Sequence, residues 1–386
     1  VKILVVAGEA SADLHAGHLV ERLAHKHPVS LLGIGGGNLE RLGLKPIKTA
    51  REMAVVGLAE ALRKIPQTLK LLNELESLAQ KEKPDFALLL DLPDFNLRLA
   101  PRLKKLGIPV IYYVSPQVWA WRSGRVKQMA ECLDLLLAIL PFEKNWYRDH
   151  APEKLRVEYV GHPALEEIPE LPYMPEENLF VLMPGSREGE WRSLFSSMVA
   201  AAALIHRENP KARFLLPVAE PLRGSAVAAE LLSPTGPCGA DLRSLGEALS
   251  VVERPAHECL RRARAAIIAS GTATLEAAIV GVPMLVAYKV HPATAFLFRH
   301  LIRYKGAVAM VNLIHGGLGS EERLVPELLQ EQVNAGELAS ALRRVSTEPQ
   351  WSLLRDRLAQ TRSLLSGPGK PVQNAANAIE NFLGAR

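Results

Sequence analysis

The sequence predicts an α/β protein built from two consecutive doubly wound domains, and three observations predict it. The chain has 386 residues, which is long for a single domain. Its first half alternates short apolar runs with stretches of helical spacing, the pattern of a parallel sheet covered on both faces. The alternation then stops at a Pro- and Glu-rich stretch from His162 through Glu177, which reads as an interdomain linker, and restarts beyond it.

The elements follow in order. Lys2–Ala7 reads as a first buried strand, and Ala10–Lys26 has helical spacing through Leu14, Leu19 and Leu23. Val29–Ile34, Phe86–Leu90, Val110–Val114 and Leu135–Leu140 are further apolar runs of strand length. After the linker, Leu179–Met183, Arg213–Pro217, Ala265–Ala269 and Met284–Ala287 predict a second parallel sheet. The tail from Glu337 to Leu383 is mostly helical in pattern, with one break at Ser366-Gly367-Pro368-Gly369.

Composition bounds the function. Hydrophobic residues make up 48% of the chain, enough for packed cores and against disorder. The net charge of +5 suits anionic partners such as nucleotides, acidic lipid headgroups or nucleic acid, without choosing among them. Cys132, Cys238 and Cys259 show no CxxC spacing and fit a reducing compartment. No apolar run reaches the length of a membrane helix, and the first run is too short for a signal peptide. The expectation is a soluble or peripherally attached protein.

Doubly wound domains bind ligands at the carboxyl ends of their strands. If the two domains face one another, the cleft between them collects residues from both. The motifs at the expected strand ends are therefore the candidates. The run Ala269-Ser270-Gly271-Thr272-Ala273-Thr274-Leu275-Glu276 leaves a strand and opens a helix, so unpaired amides and a positive dipole end face whatever lies in front. That suits a phosphate, with Glu276 in the first turn in reach of a sugar hydroxyl. At Met183-Pro184-Gly185-Ser186-Arg187, a Gly-Ser turn meets an arginine whose fork matches a diphosphate.

In the first half, Gly8-Glu9-Ala10-Ser11-Ala12-Asp13 follows the first strand, its acids suited to sugar hydroxyls. Asp91-Leu92-Pro93-Asp94-Phe95-Asn96 puts two carboxylates and an amide at another strand end, where a base for an alcohol nucleophile is expected; Asp94 or Asn96 also fits as a helix cap. Tyr112 through Arg122 is an aromatic block suited to sugar rings or acyl chains, or to a buried cluster. The glycines of Gly33-Ile34-Gly35-Gly36-Gly37 miss the dinucleotide frame and read as a flexible loop. Residues 53–80 mix apolar side chains with Arg63, Lys64 and Lys70, the pattern of a helix on a sheet or of one lying on an anionic membrane. No Asp-x-Asp pair occurs and no His pair has zinc-like spacing near acidic ligands, so no metal is expected.

Together, Ala7-Gly8-Glu9-Ala10-Ser11, Pro93-Asp94-Phe95-Asn96, Tyr113-Val114-Ser115-Pro116, Val118-Trp119-Ala120-Trp121-Arg122, Leu140-Pro141-Phe142-Glu143, Val160-Gly161-His162, Pro184-Gly185-Ser186-Arg187, the 269–276 run and Glu327-Leu328-Leu329-Gln330 resemble the lipid-A-disaccharide synthases, in order over nearly the whole chain. The resemblance implies the GT-B fold, with Rossmann-like domains at 1–165 and 166–348 and C-terminal helices, 349–386, packing back on the first. It implies an inverting, metal-independent transfer without cofactor. The donor is UDP-2,3-diacylglucosamine, and the acceptor is 2,3-diacylglucosamine 1-phosphate (lipid X).

By the same resemblance, Asp91 and Asp94 are base candidates, with Glu9 beside them in the acceptor-side cleft. Ser11, Asn96, Ser115 and Trp119 are substrate-binding candidates in the first half. Ser186, Arg187, Ser270, Gly271, Thr272, Thr274 and Glu276 would hold the diphosphate and ribose, and Asn312, Glu327 and Gln330 would line the donor side. The family is cytoplasmic and peripheral on the inner face of the inner membrane, with residues 53–80 touching anionic lipid. No nucleic acid is implied, and a homodimer is left open.

Two positions depart from the family pattern: Ala12 stands where glycine is usual, and His315–Glu322 is longer than the norm. The other reading of the same fold is a UDP-N-acetylglucosamine 2-epimerase.

Overall fold

The structure is a computed structural model describing residues 1–49, 65–121, 123–290 and 306–385. It divides into two compact units: Val1–Glu166 with Leu365–Arg386, and Glu167–Leu364.

The first unit is built on a seven-stranded sheet in the order β3-β2-β1-β4-β5-β6-β7. Its strands are β1 Lys2–Ala7, β2 Ser30–Gly35, β3 Lys45–Thr49, β4 Phe86–Leu90, β5 Val110–Tyr113, β6 Leu135–Ala138 and β7 Arg156–Tyr159. Every pairing is parallel. The central strands are apolar on both faces because helices cover both: Ile3–Ala7 and Phe86–Leu90 are wholly buried. The strand order reverses between β1 and β4, the place where doubly wound sheets open a crevice.

The second unit has six parallel strands in the order β10-β9-β8-β11-β12-β13. They are β8 Glu176–Met183, β9 Arg213–Pro217, β10 Leu249–Val252, β11 Ala263–Ala269, β12 Met284–Tyr288 and β13 Glu327–Leu329. Its core is centred on Trp191, Phe195 and Phe214, with Trp191 stacked on Phe195 at 5.1 Å. Here the order reverses between β8 and β11.

Each apolar run expected to be a strand is one, within a few residues. The four strands that the pattern missed, β3, β7, β10 and β13, are the four sheet edges. An edge strand is covered on fewer sides and needs no continuous apolar run: β7 reads Arg-Val-Glu-Tyr and β3 reads Lys-Pro-Ile-Lys-Thr.

The glycine cluster is not a loop. Gly33 and Gly35 belong to β2, and Gly37 starts the helix Gly37–Arg41. Gly33 has φ +124°, and a Cβ there would stand 2.1 Å from Val5 O, so only glycine fits. Asp13 secures the turn: its carboxylate accepts from Gly36 N (2.6 Å), Asn38 N (2.9 Å), Asn38 Nδ2 (2.9 Å) and Leu39 N (3.3 Å). Expected to face sugar hydroxyls, Asp13 is instead buried as the cap of a neighbouring helix. Ala12 lies inside the helix Ala10–Ala24, where alanine needs no special backbone angle.

Of the 53–80 stretch, residues 53–64 lie outside the described residues. The helix Ile65–Glu82 buries Leu71, Leu72, Leu75 and Ala79 in the first core and leaves Leu69 exposed, as is Ile47. Among the described residues no helix is long and apolar enough to cross a membrane.

The tail divides between the units. The helix Gln350–Leu358 belongs to the second, where Trp351 Nε1 donates to Arg264 O at 2.8 Å and the Arg264 guanidinium lies 3.6 Å over the Trp351 ring. The part that joins the first unit begins at Leu365. There the helix Pro371–Gly384 is fastened by Val372 N to Glu166 Oε1 (2.7 Å), Asn374 Nδ2 to Val160 O (3.0 Å) and the Lys26–Glu380 pair (2.7 Å).

Candidate active site

In the first unit, the loops after β1 and β4 leave neighbouring strands at one level, since Ala7 pairs with Leu90. Glu9 lies on one loop and Asp91 on the other. Asp91 and Leu92 both adopt left-handed backbone angles, φ +52° and +40°. Such a conformation costs a residue with a Cβ about 1–2 kcal/mol. Buried hydrogen bonds hold it: Asn96 Nδ2 donates to Leu90 O (2.9 Å) and Asp91 O (2.7 Å), and the Tyr112 hydroxyl donates to Asp91 O. Asn96, expected to touch substrate, is fully buried and serves the turn instead.

Burial pushes the Asp91 carboxyl up to about 6, the charge of Glu9 adds to the rise, and His15 opposes it. A carboxylate with a pKa near neutrality is suited to accept a proton. Asp94 differs. It stands in the first turn of the helix Pro93–Lys105, mostly exposed, and pairs with Arg125. Ser11 is exposed in the first turn of the helix Ala10–Ala24.

Tyr112 and Tyr113 of the aromatic block are buried, and Arg122 and the Trp121 side chain lie outside the described residues. Ser115 and Trp119 are buried. Trp119 Nε1 donates to Glu143 Oε1 (3.1 Å), and Ile139 N and Leu140 N donate to its Oε2 (3.1 and 3.0 Å). The Ser115 and Tyr147 hydroxyls are 2.9 Å apart. Burial raises the Glu143 carboxyl to about 7 against these hydrogen bonds.

His15 and His162, which are not among the site candidates, meet edge-on with ring centroids 6.5 Å apart. Burial, then His15, lowers His162 to about 3, so it is neutral, with Nδ1 accepting from Ala164 N at 3.2 Å. The Val160-Gly161-His162 run is among those that carry the resemblance, but neither histidine has a role assigned from the sequence.

In the second unit the loops after β8 and β11 are likewise neighbours, since Met183 pairs with Ile268. The helix Thr272–Val280 starts in the open: Gly271 and Thr272 are exposed, and a Cβ on Gly271 would meet nothing within 4 Å. Ser270 is half-buried, with its hydroxyl 3.4 Å from Val308 O. Thr274 is fully buried, and its hydroxyl donates to Gly271 O at 2.8 Å, so it offers a ligand nothing. Glu276 lies in the second helical turn rather than the first. Its Oε1 is 3.7 Å from His257 Nδ1, and burial holds its pKa up while His257 opposes the rise.

The helix Glu188–Glu208 begins at Arg187. The Arg187 side chain is three-quarters exposed and lies 3.6 Å from Glu190 Oε1. The Ser186 and Arg187 amides donate to Glu190 Oε2 at 2.8 and 3.2 Å.

Two donor-side candidates are bonded within the fold. Glu327 accepts from Val308 N (3.0 Å) and Ala309 N (2.9 Å), capping the helix Met310–Gly316, and from Asn312 Nδ2 (2.8 Å). Buried Asn312 also exchanges hydrogen bonds with Val325 O (3.0 Å) and Val325 N (2.9 Å). Both side chains are engaged in joining that helix to β13. Gln330, at φ +53°, turns its amide so that N donates to Val290 O and O accepts from Val290 N, both at 3.2 Å. Among the described residues no group of three or more His, Cys, Asp or Glu side chains is placed to hold a metal ion.

A family model described as lipid-A-disaccharide synthetase matches residues 3–362. The chain is 37% identical to the lipid-A-disaccharide synthase of Myxococcus xanthus over 392 residues, covering 98% of this chain and 97% of that relative. Among solved structures, it is similar to the calicheamicin glycosyltransferase CalG4, with TM-score 0.62 and 14% identity, covering 100% of this chain and 98% of that one. It is also similar to a putative UDP-N-acetylglucosamine 2-epimerase from Listeria monocytogenes, with TM-score 0.61 and 16% identity, covering 100% and 97%. At such identities these two likenesses show the fold, the two-domain GT-B architecture, and no more.

Proposed function

The chain belongs to the lipid-A-disaccharide synthetase family of glycosyltransferases, and from that premise we propose that it joins UDP-2,3-diacylglucosamine to 2,3-diacylglucosamine 1-phosphate with inversion. The products are the β-1,6-linked disaccharide 1-phosphate and UDP. The observation that carries the reading is Asp91: a half-buried acid with its pKa raised to about 6, on a strained turn where the order of the first sheet reverses.

The acceptor hydroxyl oxygen bonds to the donor's anomeric carbon as the bond from that carbon to the diphosphate oxygen breaks. The hydroxyl proton goes to the Asp91 carboxylate, and the bonding pair leaves with UDP. Burial, and then the Glu9 charge, keep the Asp91 carboxylate basic. Asp94, paired with Arg125 at a helix start, is the weaker candidate.

The second unit receives the nucleotide. The open amides at Gly271 and Thr272 and the exposed Arg187 guanidinium are suited to the diphosphate, with Ser270 and Ser186 beside them and Glu276 for the ribose. We place the protein on the inner face of an anionic membrane through the apolar 53–80 stretch with its Arg63, Lys64 and Lys70. Exposed Ile47 and Leu69 and the outward Lys70 support that.

The test is mass spectrometry of products. Both acylated substrates together should give disaccharide 1-phosphate and UDP in equal amounts. UDP-N-acetylglucosamine alone should remain unconsumed, whereas an epimerase would convert it.

A further inference from the structure

The turn at residues 185–187 holds a carboxylate of its own. Glu190 Oε2 accepts both the Ser186 and the Arg187 amide, at 2.8 and 3.2 Å, while Oε1 lies 3.6 Å from Arg187 Nη1. Gly185 makes room for it: at φ +114°, a Cβ there would stand 2.0 Å from Glu190 Oε2. The turn is tied to the core below, where fully buried Trp191 donates from Nε1 to Gly185 O at 3.0 Å.

Two amides at a helix start beside an arginine are donors that an incoming phosphate would use. Here a side chain has taken the amides. The turn leaves the carboxyl end of β8, next to the end of β11 from which the open helix Thr272–Val280 departs. The Glu190 charge also reaches Tyr288 at the end of β12, where it is the cause, second to burial, that holds the phenol's pKa up. The carboxylate therefore stands within electrostatic reach of the end of β12, the strand beside β11.

Glu327 fills the amides at the start of the helix Met310–Gly316 in the same way, but its side chain is only 7% exposed and Asn312 bonds to it. Glu190 is 29% exposed and open to water. The first is a sealed cap, and the second is a charge facing the solvent from which a nucleotide arrives.

We propose that Glu190 is an internal anion that occupies the amides of the 185–187 turn and holds down the affinity of the second unit for a nucleoside diphosphate, so that UDP is released readily after transfer. The inference rests on the nucleotide reading of the second unit. A fixed negative charge opposes an arriving diphosphate, and the exposed ion pair with Arg187 offsets little of that repulsion. Glu190 is thus an affinity-setting residue and touches no reacting atom.

Calorimetric titration of the intact protein with UDP, at fixed low salt, tests it. Glu190→Gln keeps an oxygen to accept the two amides and removes the charge, so Kd for UDP should fall about three- to tenfold. The gain should shrink as salt rises. Glu190→Ala, which also frees the amides, should bind at least as tightly. An unchanged or weaker affinity in folded Glu190→Gln, with Glu190→Ala no tighter, overturns the proposal and makes Glu190 a simple helix cap. Arg187→Ala separates this from the underlying reading: if that variant binds UDP as well as the parent, the nucleotide assignment fails rather than the role of Glu190.

Discussion

The two units reverse their strand order in the same way, yet the two reversals present opposite chemistry. In the first, Asp91 and Glu9 bring acid to the strand ends, and the turn that holds Asp91 is left-handed without any glycine. In the second, glycine turns, helix-start amides and Arg187 bring positive charge. One topology thus supplies two kinds of site, and the few residues after each strand decide which. The strain differs in kind too. Gly185 takes its positive φ at little cost, whereas Asp91 and Leu92 depend on Asn96 and Tyr112 to hold theirs.

Substitutions can sharpen or break this contrast. The largest effect is expected at Asp91: Asp91→Asn should lower turnover about 10²- to 10⁴-fold while the protein stays folded. The same change should stabilise the protein at pH 8. A carboxyl whose folded pKa is raised contributes stability below its unfolded pKa and loses it as pH rises through about 6. The gain in melting temperature should therefore vanish in acid, near pH 3. Next, Arg187→Ala should lower kcat/KM for the donor about 10- to 100-fold by removing a charge-assisted contact to phosphate.

Asn96→Ala should destabilise the fold by about 1–3 kcal/mol, since it strips a buried donor from two carbonyls of the strained turn; a denaturant titration reads this directly. A smaller effect is expected at Glu9. Activity should fall in acid with a limb near 6, and Glu9→Gln should move that limb downward, because the Glu9 charge helps hold the Asp91 carboxyl up. The smallest is Asp94→Asn, with rates within a few-fold of the parent because its exposed pairing with Arg125 is worth little. A collapse there with Asp91→Asn unaffected would move the base from one residue to the other.

Central strands were legible because burial on both faces leaves a continuous apolar run, as in Phe86–Leu90. The edges were not, because Arg156–Tyr159 and Lys45–Thr49 are half-covered and read like any polar segment. The turns that carry the candidate site were also legible, from small and polar residues following each run. The duty of each polar side chain was not.

Asp13, Asn96, Thr274, Asn312 and Glu327 sit in motifs pointing to ligands and bond to backbone, while Ser115 and Trp119 bond to the Tyr147 and Glu143 side chains. Their partners are set by the folded chain rather than by local spacing. Asp13 caps a helix that begins more than twenty residues later, and Trp119 bonds to a glutamate 24 positions away. The candidates that remain exposed, Ser11, Asp94, Ser186, Arg187, Gly271 and Thr272, became distinguishable only once these were accounted for.

The proposed function divides the labour: the first unit would move the proton and the second would hold the nucleotide. UDP titration of Asp91→Asn and Arg187→Ala, with turnover measured on the same samples, tests it most directly. The account predicts that Asp91→Asn binds UDP like the parent but makes almost no disaccharide, while Arg187→Ala loses UDP affinity. An Asp91→Asn protein that loses UDP binding, beside an Arg187→Ala protein that keeps it, would contradict the account.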